Sequence, residues 1–184
     1  MSKFLKAALI ATAVAIAAPA FAKNPMVGGQ EMFPTKTIVE NAVNSADHTT
    51  LVTAVKAAGL VDTLMGKGPF TVFAPVNSAF ASLPSGTVET LLKPENKDKL
   101  TGVLTYHVVA GRITGQDLKS WIKKGKGAYE LKTVAGGTLV ARMNGPANVS
   151  LTDESGNSAN IAIYDVMQSN GVIHSIDRVL LPKG

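Results

Sequence analysis

Cysteine is absent from the 184 residues of this chain, which excludes disulfides and a cysteine nucleophile. A fold without disulfides has to be held together by its packed core. Long basic runs are also absent, and the net charge of +5 falls to +3 without Lys3 and Lys6, which is a poor electrostatic footprint for nucleic acid. After residue 22 no apolar stretch reaches the ~20 residues that cross a bilayer. We therefore expect neither a nucleic-acid partner nor a membrane span in the mature protein.

The first 22 residues have the three regions of a bacterial secretory signal peptide. Lys3 and Lys6 form a short basic region, and an apolar stretch follows over residues 7–18. Ala20 and Ala22 then supply the small-x-small pattern that a signal peptidase requires, which predicts cleavage after Ala22. Cleavage removes both lysines, lowers the net charge to +3 and places the mature protein in the periplasm or outside the cell.

The mature chain has the length of one domain and changes from helices to strands along its length. Residues 23–34 mix proline and glycine with little periodicity and are predicted to be a flexible segment, followed by the domain over residues 35–184. Helices are predicted at 37–43, 49–58, 60–65, 77–80, 88–92 and 95–104. Strands are predicted at 70–73, 106–109, 129–134, 139–143, 149–152, 160–167 and 172–181. Helices mainly first and antiparallel strands mainly last predict an α+β fold.

Three local signals refine this prediction. Thr37 and Glu40 have the spacing of a capping box at the start of the first helix. Asn77, which follows Pro75, is predicted to cap a short helix of its own. The pair at 170–171, Asn-Gly, predicts a type I′ turn between the last two strands, with Gly171 supplying a positive φ.

Two segments, 71–80 and 171–182, resemble the two signatures of the fasciclin domain family, and a Tyr-His pair lies between them. The resemblance covers nearly all of the mature chain. It implies a wedge-shaped β-sheet with helices packed on it, and a group of proteins associated with cell adhesion and extracellular interaction. The signature residues are Thr71, Phe73, Pro75, Asn77, Phe80, Tyr106, His107, Gly171, His174 and Asp177.

Both signature segments are interpreted as mainly structural, since they consist largely of apolar core positions, with Pro75 and Asn77 at a turn. One position departs from the family pattern: Val76 stands where the family usually has threonine. Valine and threonine are nearly isosteric but differ by a hydroxyl, so a hydrogen bond from that hydroxyl is missing here.

The histidines are the first candidates for chemistry. His107 and His174 lie in strands that carry the signatures, and Asp165 or Asp177 would have to complete a metal site. No spacing demands such a site, and the favoured interpretation is that both imidazoles satisfy buried polar groups. His48 is interpreted as a solvated loop residue. We predict no metal and no other cofactor.

Nucleophilic catalysis has one weak candidate. Ser120 and Lys123 match the Ser-x-x-Lys motif of penicillin-recognising enzymes. Those enzymes also need Lys-Thr-Gly, and here Lys132 and Thr133 are followed by Val134. No catalytic residue is therefore predicted, and a serine hydrolase remains an alternative.

Two segments are candidates for binding a partner. Trp121, Lys123 and Lys124 could stack on a sugar or meet an acidic surface, although a helix with an inward tryptophan and outward lysines explains the same pattern. Asp165 and Val166 resemble the Asp-Ile pair through which some animal fasciclin domains bind integrins, and a strand-edge aspartate is the alternative. The resulting hypothesis is a secreted, non-catalytic adhesion or interaction module that binds a protein or carbohydrate at the cell envelope or surface. A carrier of a small apolar ligand is the second alternative.

Overall fold

A computed structural model of the chain describes residues 24–183. The predicted signal peptide and its cleavage site lie outside the described residues. Within that range the helices are α1 Ile38–Ala42, α2 Thr49–Ala58, α3 Val61–Met65, α4 Asn77–Ala81, α5 Thr87–Leu91, α6 Lys97–Tyr106 and α7 Gly115–Lys124. The strands are β1 Met26–Val27, β2 Gln30–Glu31, β3 Phe70–Pro75, β4 Val108–Ala110, β5 Ala128–Lys132, β6 Thr138–Asn144, β7 Asn148–Thr152, β8 Ser158–Gln168 and β9 Gly171–Ile176.

Strands β3 to β9 form one seven-stranded sheet that nearly closes into a barrel. Its order is β4-β3-β9-β8-β7-β6-β5, and its two ends meet through a bridge between Val109 and Thr133. The backbone N–H of Val134 also donates to the carbonyl of Val108 at 2.8 Å. Closure leaves little free strand edge, which limits edge-to-edge association.

The two signature segments lie in β3 and β9, which are adjacent strands of this sheet. The two strands are parallel and in register from Phe70 opposite Gly171 to Pro75 opposite Ile176. The two signature segments are therefore neighbouring inner strands of one sheet. Helices come mainly before the strands, so the predicted α+β fold is confirmed.

The sheet separates two hydrophobic cores, and β3 contributes to both because its side chains alternate. Phe73 points into the core enclosed by the curved sheet and α7, which we call the barrel core. Val72 and Ala74 point into the core between the sheet and helices α1, α2, α3 and α6, which we call the helix-side core. Ile176 and Ile173 of β9 divide between the two cores in the same way.

Part of the predicted flexible segment, residues 23–34, forms regular secondary structure. β1 and β2 form a hairpin, and Gly28 and Gly29 between them have φ values of 57° and 75°. Two consecutive positive φ values are the requirement of a type I′ turn. Val27 and Met32 are buried in the helix-side core, which anchors the hairpin to the domain.

The turn between β8 and β9 also differs from its prediction. Gln168 pairs with Gly171, so the two-residue turn is Ser169–Asn170, and neither of these residues has a positive φ. Gly171 is required for a different reason. A Cβ at this position would lie 2.1 Å from the carbonyl oxygen of Phe70, so the absence of a side chain lets β3 approach β9.

Asn77 caps a different helix from the one predicted. The N-cap of α4 is Val76, which makes no side-chain hydrogen bond, and Asn77 is the first residue inside that helix. The Asn77 side chain instead accepts a hydrogen bond from the backbone N–H of Thr50 at 3.0 Å and donates to the carbonyl of Ala46 at 2.8 Å. It therefore ties the start of α2 to the end of β3. The cap that α4 lacks is the one a threonine hydroxyl at position 76 could provide.

Candidate functional site

The buried polar residues of the two signature segments hold loops in place, beginning with Thr71. Its hydroxyl donates to the carbonyl of Gly111 at 2.7 Å and accepts from the backbone N–H of Ile113 at 2.9 Å. Thr71 is fully buried, so both bonds form away from water. They fix the loop between β4 and α7 against β3.

His107 and His174 are each held between two backbone groups. Nδ1 of His107 lies 2.8 Å from the carbonyl of Val103, and its Nε2 accepts from the N–H of Leu180 at 3.0 Å. His174 pairs its Nε2 with the carbonyl of Ile113 at 2.8 Å, and its Nδ1 accepts from the N–H of Asp165 at 3.3 Å.

Burial controls the protonation of both rings. Desolvation lowers the pKa of His107 to about 4 and also lowers the pKa of His174. Each ring is therefore neutral at pH 7 with both nitrogens occupied by backbone groups. Among residues 24–183 no three His, Cys, Asp or Glu side chains are grouped so that they could hold a metal ion.

His48 is buried, so its interpretation as a solvated loop residue is wrong. It is 3% exposed, and burial lowers its pKa. Its Nδ1 lies 2.9 Å from Oγ of Ser45 and its Nε2 lies 3.3 Å from Oγ of Ser175. Position 48 faces inward because it immediately precedes α2, whose inner face packs on β9 and β3 in the helix-side core.

Tyr106 and Asp177 also link neighbouring segments. The Tyr106 hydroxyl donates to the carbonyl of Thr138 at 2.8 Å and accepts from the N–H of Glu154 at 3.1 Å. The Asp177 carboxylate is exposed and accepts from the backbone and side-chain nitrogens of Asn160 at 2.7 and 2.9 Å. Tyr106 thus joins the end of α6 to the start of β6 and to the loop after β7, and Asp177 joins the residue after β9 to β8.

The Asp165–Val166 pair does not form a surface motif. Asp165 has a φ of 56° in an irregular part of β8, and its Oδ1 accepts from the N–H of Gly115 at 2.7 Å. Gly115 is the first residue of α7, so Asp165 occupies the N-terminal end of that helix. The Val166 side chain is 1% exposed and packs in the helix-side core. The structure therefore gives Asp165 the role of positioning α7.

Helix α7 presents the other predicted binding residues. Thr114 and Asp117 form a capping box at its start, and Leu118 and Ile122 are buried in the barrel core. Trp121 is half-buried against the same core. This arrangement agrees with the interpretation of a helix with an inward tryptophan and outward lysines. The ring centroid of Trp121 lies 4.9 Å from that of Tyr129 on β5, with the planes tilted by 39°.

The sequence did not indicate Tyr129 as a binding residue. In the structure its side chain is 36% exposed. Its partnership with Trp121 depends on β5 running back beside α7 after the turn at 125–127. A tyrosine in a predicted strand eight residues after the tryptophan is the only signal the sequence offers.

Positive charge is concentrated on this part of the surface. Residues 115–132 contain five lysines and two acidic residues, whereas the other described residues contain ten basic and eleven acidic side chains. Lys123, Lys124 and Lys126 are exposed, and Nζ of Lys119 lies 5.3 Å from the ring centroid of Tyr164. We call this surface of α7, the following turn and β5 the basic face.

The Ser120–Lys123 pair lies on the same helix, one turn apart. Ser120 is half-buried and Lys123 is exposed, and the hydrogen bonds of the described residues include none between them. The Thr133 hydroxyl that follows Lys132 donates to the carbonyl of Gly137 at 3.2 Å.

Comparison with known proteins adds independent information. Residues 46–182 match the fasciclin domain. Protein sll1483 from Synechocystis sp. is 50% identical over 79% of this chain and 73% of its own length. Immunogenic protein MPB70 from Mycobacterium bovis is 32% identical over 98% of this chain and 94% of its own.

A solved structure gives the same fold. The FAS1 domain pair from the insect cell adhesion molecule fasciclin I superposes with a TM-score of 0.69 at 21% identity, over 79% of this chain. The chain spans about half, 51%, of that domain pair. Across the part of the chain described here, no helix is long and apolar enough to cross a membrane.

Proposed function

The chain belongs to the fasciclin domain family, and we propose that it is an exported, non-catalytic interaction module that binds an anionic protein or glycan surface outside the cytoplasm. The observation that carries this proposal is the basic face. It holds a net charge of +3, while the other described residues together carry −1. Such an asymmetry favours an acidic partner and speeds its association.

The helix dipole explains only part of this charge. Lys123 and Lys124 lie in the last turn of α7, where cations stabilise the carbonyl end of a helix. That effect falls off within one turn, so it gives no reason for Lys119, Lys126 or Lys132. A partner with several negative charges would use all five.

The aromatic pair supports the same assignment. Tryptophan and tyrosine are enriched at protein interfaces. The ring faces of Trp121 and Tyr129 also suit the apolar side of a sugar. They are held by α7, which is capped at Thr114 and packed on the barrel core. A rigid platform loses little side-chain entropy on binding.

The interior supports a binding role over a catalytic one. Among the described residues, each buried side-chain nitrogen or oxygen atom has a hydrogen-bond partner. The two buried signature histidines are occupied by backbone groups on both nitrogens. The lysines of the basic face, by contrast, are exposed to solvent and available to a partner.

Affinity capture from the protein's own envelope extract and growth medium tests the proposal. The bait is the mature protein, and the test variant replaces Lys123, Lys124 and Lys126 with glutamine. The matched control replaces Lys93, Lys97 and Lys99, which are also three exposed lysines, and changes the net charge equally.

We expect saturable capture by the wild type and the control variant, and loss of capture by the test variant. Digestion of the captured material by a protease or by a glycosidase identifies a protein or a glycan partner. Equal capture by both variants would contradict a role for the basic face.

A further inference from the structure

The sequence contains two Asn-Gly pairs, Asn144–Gly145 and Asn170–Gly171, and neither belongs to the basic face. Asparagine is a thermolabile residue, and a following glycine favours its deamidation because no Cβ hinders the approach of the backbone nitrogen to the side-chain amide. The reaction needs an amide that can turn toward the next residue, a backbone that can bend, and access to water. The structure places the two pairs in opposite surroundings.

The first pair lies in an open turn. Asn144 is the last residue of β6, and Gly145 begins the three-residue turn that leads to β7. Residues 142–148 are all exposed. Gly145 has a φ of 77°, and a Cβ built on it would meet no atom within 4 Å. Among residues 24–183 no hydrogen bond engages the Gly145 N–H, and the Asn144 amide donates one exposed bond, to Oδ1 of Asn160 at 2.7 Å.

The second pair is locked in place. Asn170 is 7% exposed, and its amide makes three hydrogen bonds. Oδ1 accepts from the N–H of Ile38 at 3.0 Å, and Nδ2 donates to the carbonyls of Leu64 and Gly66 at 2.7 and 2.9 Å. Gly171 is buried at the start of β9. Turning this amide toward Gly171 would break all three bonds where water does not replace them.

We propose that Asn144 is a site of spontaneous deamidation in the folded protein and that the fold protects Asn170 from the same reaction. The Gly145 nitrogen gives its proton to a base and attacks Cγ of Asn144. A bond forms between these two atoms, the Cγ–Nδ2 bond breaks, and ammonia leaves with the proton. Water then adds to one of the two ring carbonyls of the succinimide and cleaves its bond to nitrogen. Cleavage at Cγ gives aspartate, and cleavage at the backbone carbonyl gives isoaspartate.

Either product should loosen the turn between β6 and β7. Nδ2 of Asn144 donates to Asn160, whose own Nδ2 donates to the Asp177 carboxylate at 2.9 Å. An ionised carboxylate at position 144 has no proton to donate, so it would meet the Asn160 oxygen as a second acceptor and add a negative charge near Asp177. Isoaspartate also lengthens the backbone opposite Asn148, with which residue 144 is paired.

Peptide mapping of the mature protein by mass spectrometry tests the proposal. One sample is incubated folded at mildly alkaline pH, and a second is incubated in urea above the unfolding midpoint until both Asn-Gly pairs have reacted. An isoaspartyl methyltransferase reports the isoaspartate fraction. In the folded sample we expect product at Asn144 and a rate at Asn170 that is lower by at least about 100-fold, because a core site reacts only from opened molecules. In urea the two rates should be comparable.

Two variants complete the test. Asn144→Ser removes the reactive amide from an exposed turn and should abolish the product in that peptide without changing the fold. Asn144→Asp reproduces one product directly, and hydrogen exchange of the amides at 145–149 should become about two- to fivefold faster with the loss of one exposed hydrogen bond.

The proposal is overturned by a folded sample in which Asn144 stays intact while the urea sample reacts at both pairs. It is equally overturned if Asn144 and Asn170 react at the same rate in the folded protein. Unchanged hydrogen exchange in Asn144→Asp would contradict the loosening of the turn.

Discussion

Acid should weaken this fold at a pH above the range in which carboxylates titrate, because His107 is buried in its neutral form. Its ring is 2% exposed, and desolvation lowers its pKa from 6.5 to about 4. The ring joins the end of α6 to the C-terminal segment through Val103 and Leu180. Protonation would put a charge in this buried position and remove the acceptor that the Leu180 N–H uses.

The direction of the pH effect on the free energy of unfolding follows from proton binding. Between pH 6.5 and about 4 the unfolded chain takes up a proton at His107 that the folded chain does not. The stabilisation is therefore complete above pH 6.5 and is lost as the pH falls toward 4. One residue with this shift lowers the free energy of unfolding by about 2 kcal/mol at pH 5 and by about 3 kcal/mol at pH 4. His48 and His174, whose pKa values are also lowered by burial, add to the loss.

Urea unfolding at about pH 8 and about pH 5 measures the effect, with the fluorescence of the single tryptophan, Trp121, as the signal. A loss of about 2 kcal/mol moves the urea midpoint by about 1 M for a protein of this size. His107→Gln keeps a donor and an acceptor but cannot titrate. Between about pH 8 and about pH 5, the free energy of unfolding of His107→Gln should therefore fall by about 2 kcal/mol less than that of the wild type. The same fall in both proteins would refute the assignment of the acid sensitivity to His107.

The remaining predictions concern stability and use the same unfolding assay. Val76→Thr should raise the free energy of unfolding by about 0.5–1 kcal/mol, because it adds the missing cap of α4; no gain would show that the cap is not formed. Asn170→Ala should cost about 2–4 kcal/mol, since this buried amide joins the N–H of the first residue of α1 to two carbonyls at the end of α3; a cost below about 1 kcal/mol would contradict that. Gly171→Ala should cost about 3 kcal/mol or more, because the new Cβ meets the carbonyl of Phe70; a wild-type midpoint would contradict the close approach of β3 and β9.

The central sheet was predictable because its residues carry strong local signals. Phe73 and Ile176 lie in short runs of aromatic and β-branched residues, which form strands wherever they are buried. The capping box at Thr37 is equally local, and the structure contains it. Elements set by residues close in sequence can be found without coordinates.

Errors arose where a side chain bonds across the fold. Asn77 caps a helix that begins 28 residues earlier, and Asn170 bonds to Ile38, which is 132 residues away. His48 lies beside Ser175, which is 127 residues later in the chain. No periodicity or spacing encodes these pairs, since they depend on which strands become neighbours.

The binding surface was partly predictable for the same reason. The lysines and Trp121 lie within one helical segment, so their clustering is visible in the sequence. Tyr129 joins them through the return of β5, and Val166 is buried by a strand irregularity next to Asp165. Neither position follows from local pattern.

The most direct test of the proposed function is the dissociation constant of the captured partner, measured at about 50 mM and about 500 mM salt. Binding through the basic face predicts saturable binding that weakens at least about tenfold at the higher salt. It also predicts that glutamine at 123, 124 and 126 removes most of this salt dependence, whereas glutamine at 93, 97 and 99 does not. Affinity that is insensitive to salt, or equally affected by the two sets of changes, would contradict the account.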